Sequence, residues 1–171
     1  MTAQDSGDGT GAPTDEADGK EGTFLVTAAD ENSAVLKDVD DGQVHALSSN
    51  PGVSEGEAVA GVVAPDPPLD VSWRLVEIDE RWTVSVSASD ESPTTFAREI
   101  AADQAEGDLT RRERAGEGEL HVLTVPADLT EQAVQDVLDD AEATRSRAAR
   151  LGVSRVEVRS EPGLVVVRYL P

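Results

Sequence analysis

From Gly22 onward, short apolar runs alternate with turn residues, and this rhythm restricts the possible folds more than any other feature of the chain. The runs follow one another at a spacing of about ten residues, without a helical pattern between them. Strands of this length and spacing predict a small antiparallel β-barrel or β-sandwich. The predicted strands lie at 23–27, 33–37, 43–47 and 58–63.

A β-hairpin is predicted after these strands. Residues 71–78 and 81–87 have strand patterns, and Asp79-Glu80 lies between them as the turn. This register places Trp73 and Trp82 on one face of the hairpin. Exposed indoles stack on bases or sugars, whereas buried indoles would fill a core with few other aromatic side chains. Both alternatives stay open at this point.

Residues 92–171 combine helix and strand patterns. Ser92-Pro93 begins a helix, and a second helix with a 3.6-residue apolar stripe begins near Asp128 and ends at Gly152. With the strand at 81–87, the order of elements is β-α-β-β-α-β-β. The first six elements match a ferredoxin-like βαββαβ arrangement with one extra C-terminal strand, so we expect two helices on one face of an antiparallel sheet. The predicted fold class is α+β.

These patterns divide the chain into four segments. Residues 1–21 are rich in Gly, Asp and Thr, have almost no large apolar side chain, and predict a disordered acidic tail. A β-barrel-like domain is expected at 22–70, a connecting β-hairpin at 71–91, and an α+β ferredoxin-like domain at 92–171.

The formal net charge is −21, from 35 acidic and 14 basic side chains. This charge indicates either a disordered acidic chain or a folded protein from a salt-rich cytoplasm, where salt screens self-repulsion. The regular strand and helix patterns favour the folded protein. The absence of cysteine excludes disulfides and thiolate metal sites. Because no apolar run suits a membrane span or a signal core, we expect a cytoplasmic protein that does not enter a membrane.

Several strings in the chain resemble a haloarchaeal family of unknown function. They occur in the same order over residues 22–171. The strings are GTFLVT (22–27), AVLKDV (34–39), DGQVHALS (41–48), ERAGEGELHVLTVP (113–126), ARLGVSRVEVR (149–159) and VRYLP (167–171). The resemblance implies a halophilic archaeal cytoplasm. It implies no particular activity, ligand or catalytic residue.

The two histidines, His45 and His121, both lie in predicted strands. Glu119 shares a strand face with His121, which would suit a general base and its orienting carboxylate; a hydrogen-bonded structural histidine is the alternative. Two histidines without cysteine or a His-Glu-x-x-His spacing predict no zinc site. The segment 38–42 has Gly at the fifth position rather than the sixth of a calcium loop, and we interpret it as a turn. No catalytic residue, metal or cofactor is assigned.

Arginine side chains offer the main candidate binding surface. The last predicted hairpin places Arg155, Arg159 and Arg168 on one face, with Glu157 opposite Arg168. Guanidinium groups bind phosphate and carboxylate bidentately, so such a patch would suit RNA, a phosphorylated ligand or an acidic partner. The alternative is that each arginine pairs with a neighbouring acid. The full candidate set is Arg112, Arg114, Arg155, Arg159, Arg168, Trp73 and Trp82.

These observations lead to three functional hypotheses. The first is a non-enzymatic interaction module of a halophilic archaeon that binds a protein partner in the cytoplasm. The second is an RNA- or nucleotide-binding protein that uses the arginine-rich sheet face or the tryptophan-bearing barrel. The third is an enzyme with a site between the domains near His121.

Overall fold

The computed structural model describes residues 19–68 and 71–171. This part of the chain has a mixed α+β fold with two five-stranded sheets and three α-helices. It forms two compact units. The first comprises the described residues up to Glu55 together with Val59–Arg81, and the second comprises Gly56–Ala58 and Trp82–Pro171.

Five strands build the sheet of the first unit. They are β1 (Lys20–Ala29), β2 (Ala34–Asp38), β3 (Val44–Leu47), β4 (Glu57–Pro65) and β5 (Trp73–Thr83). The sheet follows the order β1-β2-β3-β5-β4 and closes on itself as a ring. The first four strands confirm the strands predicted between residues 22 and 70. Of the acidic tail predicted at 1–21, the part before residue 19 lies outside the described residues.

The ring encloses a core of mostly aliphatic side chains. Phe24, Leu36, Val59 and Val63 are all fully buried there. Alternation along each strand explains this, because every second side chain of a strand points to the same face. One position needs glycine: a Cβ on Gly61 would lie 2.0 Å from a main-chain oxygen of β5.

The hairpin predicted within 71–91 is wrong. Strand β5 runs without interruption from Trp73 to Thr83, straight through Asp79-Glu80. Two-residue hairpin turns need positive φ angles, which Asn-Gly or Asp-Gly accept and Asp79-Glu80 does not favour. The chain after β5 therefore does not pair back on it, and the next strand joins the second sheet.

The second unit contains the remaining elements. They are β6 (Ser85–Ala88), α1 (Thr95–Ala102), β7 (Leu109–Glu113), β8 (Glu119–Thr124), α2 (Thr130–Asp139), α3 (Ala141–Leu151), β9 (Arg155–Glu161) and β10 (Leu164–Leu170). A short 3-10 turn at Ala127–Leu129 precedes α2. The strands follow the order β6-β9-β10-β8-β7.

This strand order departs from the predicted ferredoxin-like arrangement. The first strand, β6, lies at the edge of the sheet and pairs parallel with β9. The strand expected as a C-terminal addition, β10, lies in the centre between β9 and β8. Two features explain its place: the Pro162-Gly163 turn pairs it with β9, and its run Leu164–Val167 is buried throughout. Continuous apolar runs are typical of strands covered on both faces.

Helices cover both faces of this sheet, not one face as predicted. Ala97 and Ile100 of α1 pack in a cluster with Val122. The neighbouring residue His121, with Val167 across from it, points to the opposite face, where α2 and α3 lie. The helix predicted as continuous from residue 128 is divided at Asp140. None of the helices among the described residues combines the length and apolarity needed to cross a bilayer.

Candidate functional site

A cavity of about 540 Å³ opens within the second unit, between the sheet and helices α2 and α3. Its sheet wall comes from β7, β8 and β10, where Arg111, His121 and Val167 are aligned partners on adjacent strands. Its helical wall includes Val137, Asp140, Thr144 and Arg147. These four residues are three or four positions apart along the chain. Because α3 begins almost directly after α2 ends, this spacing places their side chains on the same side of the two helices.

Apolar side chains form much of the cavity wall. Leu109 and Leu123 contribute from β7 and β8, Val167 from β10, and Ala133 and Val137 from α2. A pocket of a few hundred cubic ångströms with apolar walls and a few polar groups is typical of small-molecule sites. The polar groups therefore decide what the cavity can bind.

Glu119 joins the sheet wall to the helical wall. Its Oε1 lies 2.8 Å from Nε2 of His121 and accepts hydrogen bonds from Nε and Nη2 of Arg147 at 3.0 and 2.7 Å. Burial raises the pKa of Glu119, but these hydrogen bonds outweigh it and hold the pKa below its usual range. Glu119 is consequently a carboxylate at neutral pH, and it accepts hydrogen bonds from the N–H groups of His121 and Arg147.

Burial lowers the pKa of His121, and the hydrogen bond to Glu119 offsets this only in part. The charges of Arg147 and Arg111 lower it further. The imidazole is therefore neutral at pH 7. Because a carboxylate only accepts hydrogen bonds, Nε2 carries the proton and Nδ1 keeps its lone pair. The His121 side chain thus presents a hydrogen-bond acceptor at the cavity.

Tyr169, Arg111 and Asp140 complete the polar lining. The Tyr169 ring lies 4.9 Å from the His121 ring, and burial raises the pKa of its hydroxyl. The Arg111 guanidinium and the Asp140 carboxylate make no hydrogen bond or ion pair with any residue that the structure describes. These two charged groups are the part of the lining left for a bound molecule.

Three of the candidate arginines gather around one buried acid on the other face of the sheet. Glu157 Oε1 accepts from Arg159 Nε at 2.7 Å and from Arg168 Nη1 at 2.5 Å, and its Oε2 lies 3.7 Å from Arg155 Nη1. Burial raises the pKa of Glu157, but the hydrogen bonds from Arg168 and Arg159 outweigh it and lower the pKa. Arg159 also contacts Glu91 at 3.3 Å. We call these residues the Glu157 cluster.

The other candidate binding residues are spread over the molecule. Arg112 is exposed on β7, next to Arg111 but on the opposite face. Arg114 donates from Nη1 to the main-chain oxygen of Glu117 at 2.6 Å. The two tryptophans belong to different units: Trp73 packs against the core of the first unit, and Trp82 donates to the Val153 oxygen at 3.1 Å in the second.

The third hypothesis placed a site near His121 between two domains, but the cavity beside His121 lies wholly within the second unit. The sequence pattern had paired Glu119 with His121, and the 2.8 Å contact agrees with that face. It missed Arg111, Arg147 and Tyr169. The sequence does carry one indication for Arg147, because its charged side chain lies among the small buried residues of α3. Across residues 19–68 and 71–171, no three His, Cys, Asp or Glu side chains gather as metal ligands.

Comparison with known proteins identifies the family. The chain belongs to a family of unknown function (DUF5812), which it matches over residues 20–160. That match includes the cavity residues of β7, β8, α2 and α3. None of the curated proteins and none of the solved structures matches the chain.

Proposed function

We propose that the second unit of this family member binds a small organic molecule that carries an anionic group. The observation that supports this most directly is the cavity of about 540 Å³, whose apolar walls end at an unpaired guanidinium. The volume lies in the range of about 300 to 1,000 Å³ that ligand pockets occupy.

Arg111 is the group that would bind the anion. A guanidinium offers a planar fork of donors that matches a carboxylate or a phosphate. Arg147 lines the same cavity, but its Nε and Nη2 already donate to Glu119. Arg147 therefore holds Glu119 and, through it, the orientation of His121. That leaves the Arg111 fork for a ligand.

The remaining lining would orient the rest of the molecule. His121 Nδ1 accepts a hydrogen bond from an N–H or O–H group, since Nε2 is engaged by Glu119. Leu123, Val137 and Val167 provide an apolar surface beside it. Burial of an aliphatic group there contributes about 25 cal/mol for each square ångström removed from water.

Binding of carboxylate probes to matched variants tests this proposal. Titration calorimetry of the full chain in molar KCl would compare wild type, Arg111→Gln and Arg112→Gln with aliphatic carboxylates and phosphate esters. We expect Arg111→Gln to weaken binding about tenfold or more, and Arg112→Gln to leave it unchanged because Arg112 lies on the other face. Equal losses in both variants, or no probe bound by wild type, would contradict the proposal.

Acid–base catalysis on the bound molecule is the second candidate function. It is supported by the 2.8 Å contact between His121 and Glu119 at the cavity wall, the arrangement of an oriented general base. The test follows proton exchange or turnover of a bound probe by NMR. His121→Gln would abolish turnover while binding of the probe is weakened but not lost; unchanged turnover in that variant would rule out this role.

The protein-partner hypothesis and the RNA hypothesis stay predictions. The RNA hypothesis loses support because Arg155, Arg159 and Arg168 are engaged with Glu157, which offsets part of their charge. A nucleic-acid surface of arginines depends on uncompensated positive charge. A pull-down at high salt with and without nuclease would separate the two.

We also propose that the protein works in a salt-rich archaeal cytoplasm and that the ring of the first unit is a small β-barrel. The net charge of −21 supports the first statement, and the closed strand order supports the second. We expect the melting temperature to fall as KCl is reduced from molar to millimolar concentration. A melting curve that does not depend on KCl would contradict salt adaptation.

A further inference from the structure

We infer that the molecule bound in this cavity is a zwitterion of the α-amino acid class with a small aliphatic side chain, its carboxylate on Arg111 and its ammonium on Asp140. This inference rests on the proposed function and adds the second charged group of the ligand. It concerns only residues of the second unit.

Two unpaired side chains of opposite charge line the cavity. Arg111 lines the cavity from the sheet, and Asp140 lines it from the junction of α2 and α3. Among the described residues, neither side chain is bridged to the other or to a third group. A molecule bound between them meets one positive and one negative pole on facing walls.

The charges around the cavity also favour a ligand with two poles. Of the charged lining groups, Arg147 is paired with Glu119, Asp136 accepts a hydrogen bond from Gln132 and Arg150 is engaged in another interaction, so Arg111 and Asp140 are left for a ligand. His121 is neutral, as its lowered pKa indicates. A ligand with only negative charge would leave the Asp140 carboxylate without a partner beside it, and like charges at close range oppose binding. A ligand with no net charge but two poles avoids this.

Apolar side chains line the same cavity as the two charged groups. Leu123, Val137 and Val167 are among them, and the cavity volume of about 540 Å³ accommodates an amino acid with an aliphatic side chain. Tyr169 and His121, both buried, also line this cavity. Charged and aliphatic groups in one cavity match the two parts of an aliphatic amino acid.

Three probes that share one aliphatic chain separate the two charges. Leucine carries both, isocaproate lacks the ammonium, and isopentylamine lacks the carboxylate. Calorimetry of the full chain in molar KCl is expected to show leucine binding about tenfold tighter than either analogue. Alanine and valine extend the series to shorter chains and test the apolar wall.

Asp140→Asn is expected to bring leucine down to the affinity of isocaproate, while isocaproate binds at least as tightly as it does to wild type because a like charge has been removed. The matched control is Asp139→Asn, the preceding residue, whose carboxylate accepts from Gln135 at 2.9 Å and does not line the cavity. Asp140 makes no side-chain capping hydrogen bond to α3, so the substitution by Asn preserves the start of this helix. Far-UV circular dichroism checks that both variants are folded.

The outcomes separate this inference from the proposed function. If isocaproate binds as tightly as leucine in wild type, or if Asp139→Asn and Asp140→Asn lose leucine binding equally, the zwitterion inference is wrong and the anion site stands. If the carboxylates bind but no amino acid does, the result is the same. If neither leucine nor isocaproate nor any other carboxylate binds, both the inference and the proposed function fail.

Discussion

The two histidines lie in regions that are built in opposite ways. His45 is fully buried in the core of the first unit, 4.4 Å from the Trp73 ring and 5.6 Å from the Phe24 ring, and neither of its nitrogens has a hydrogen-bond partner. His121 is also buried, but Glu119 engages one nitrogen and the ring lines a cavity. In both regions burial lowers the histidine pKa.

The difference shows that burial by itself does not mark a functional histidine. Packing against two aromatic edges holds the His45 ring, and no ligand reaches it. The His121 ring is held by a carboxylate that an arginine fixes in turn, and its other nitrogen is the acceptor offered to the cavity. A polar partner and an adjoining space are what make a buried imidazole useful.

The largest effect on stability is expected when a charge is placed at position 45, which is fully buried in the core of the first unit. His45→Asp buries a carboxylate without a partner, and we expect it to reduce the free energy of unfolding of the first unit by about 3 to 5 kcal/mol. Urea unfolding monitored by tryptophan fluorescence in a Trp82→Phe background would report this, because Trp73 adjoins the site.

The control for this change is His45→Leu. It removes a polar group whose hydrogen bonds are already unmade, so we expect a neutral or stabilising effect. A loss in His45→Leu as large as that in His45→Asp would show that the ring makes a polar contact that matters, and wild-type stability in His45→Asp would contradict the burial of this position.

A smaller effect on stability is expected when the pH is lowered. Burial lowers the pKa of His45, and the charge of Lys20 lowers it further, while Asp38 and Asp41 act in the opposite direction. Between the ordinary pKa of about 6.5 and the lower folded value, the unfolded chain binds a proton that the folded chain does not. The free energy of unfolding is therefore not reduced by His45 above that ordinary pKa, and it falls as the pH drops below it.

Urea midpoints at a series of pH values between about 7.5 and 5.5, at constant KCl, would measure this. His121 contributes with the same sign in wild type and in His45→Leu, so the difference between the two isolates His45. We expect the dependence to be flatter in His45→Leu. Identical slopes would mean that His45 does not titrate differently on folding.

The smallest expected effect on stability is at the cavity. His121→Gln keeps a donor that can reach Glu119, so we expect a change in unfolding free energy within about 1 kcal/mol. Binding of a carboxylate probe that also carries a hydroxyl group should weaken, because the acceptor at Nδ1 is replaced. Calorimetry and urea unfolding of the same preparation make the comparison; a large loss of stability with unchanged binding would place His121 with His45 as a structural residue.

Local patterns determined much of the molecule. The strands β1 to β4, the end of α3 at Gly152 with φ +74, and the two-residue turn at Pro162-Gly163 all follow from neighbouring residues. The contact of Glu119 with His121 also follows, since alternate residues of a strand share a face. Each of these depends on interactions within a few residues along the chain.

Tertiary structure alone decided the rest. The central place of β10, the edge position of β6 and the cover of the sheet on both faces depend on which strands pair across long stretches of chain. The cavity depends on the same pairing, because it takes Arg111 from β7, His121 from β8, Tyr169 from β10 and Arg147 from α3. Periodicity tells which face a side chain takes, but it does not tell which strand or helix lies beside that face.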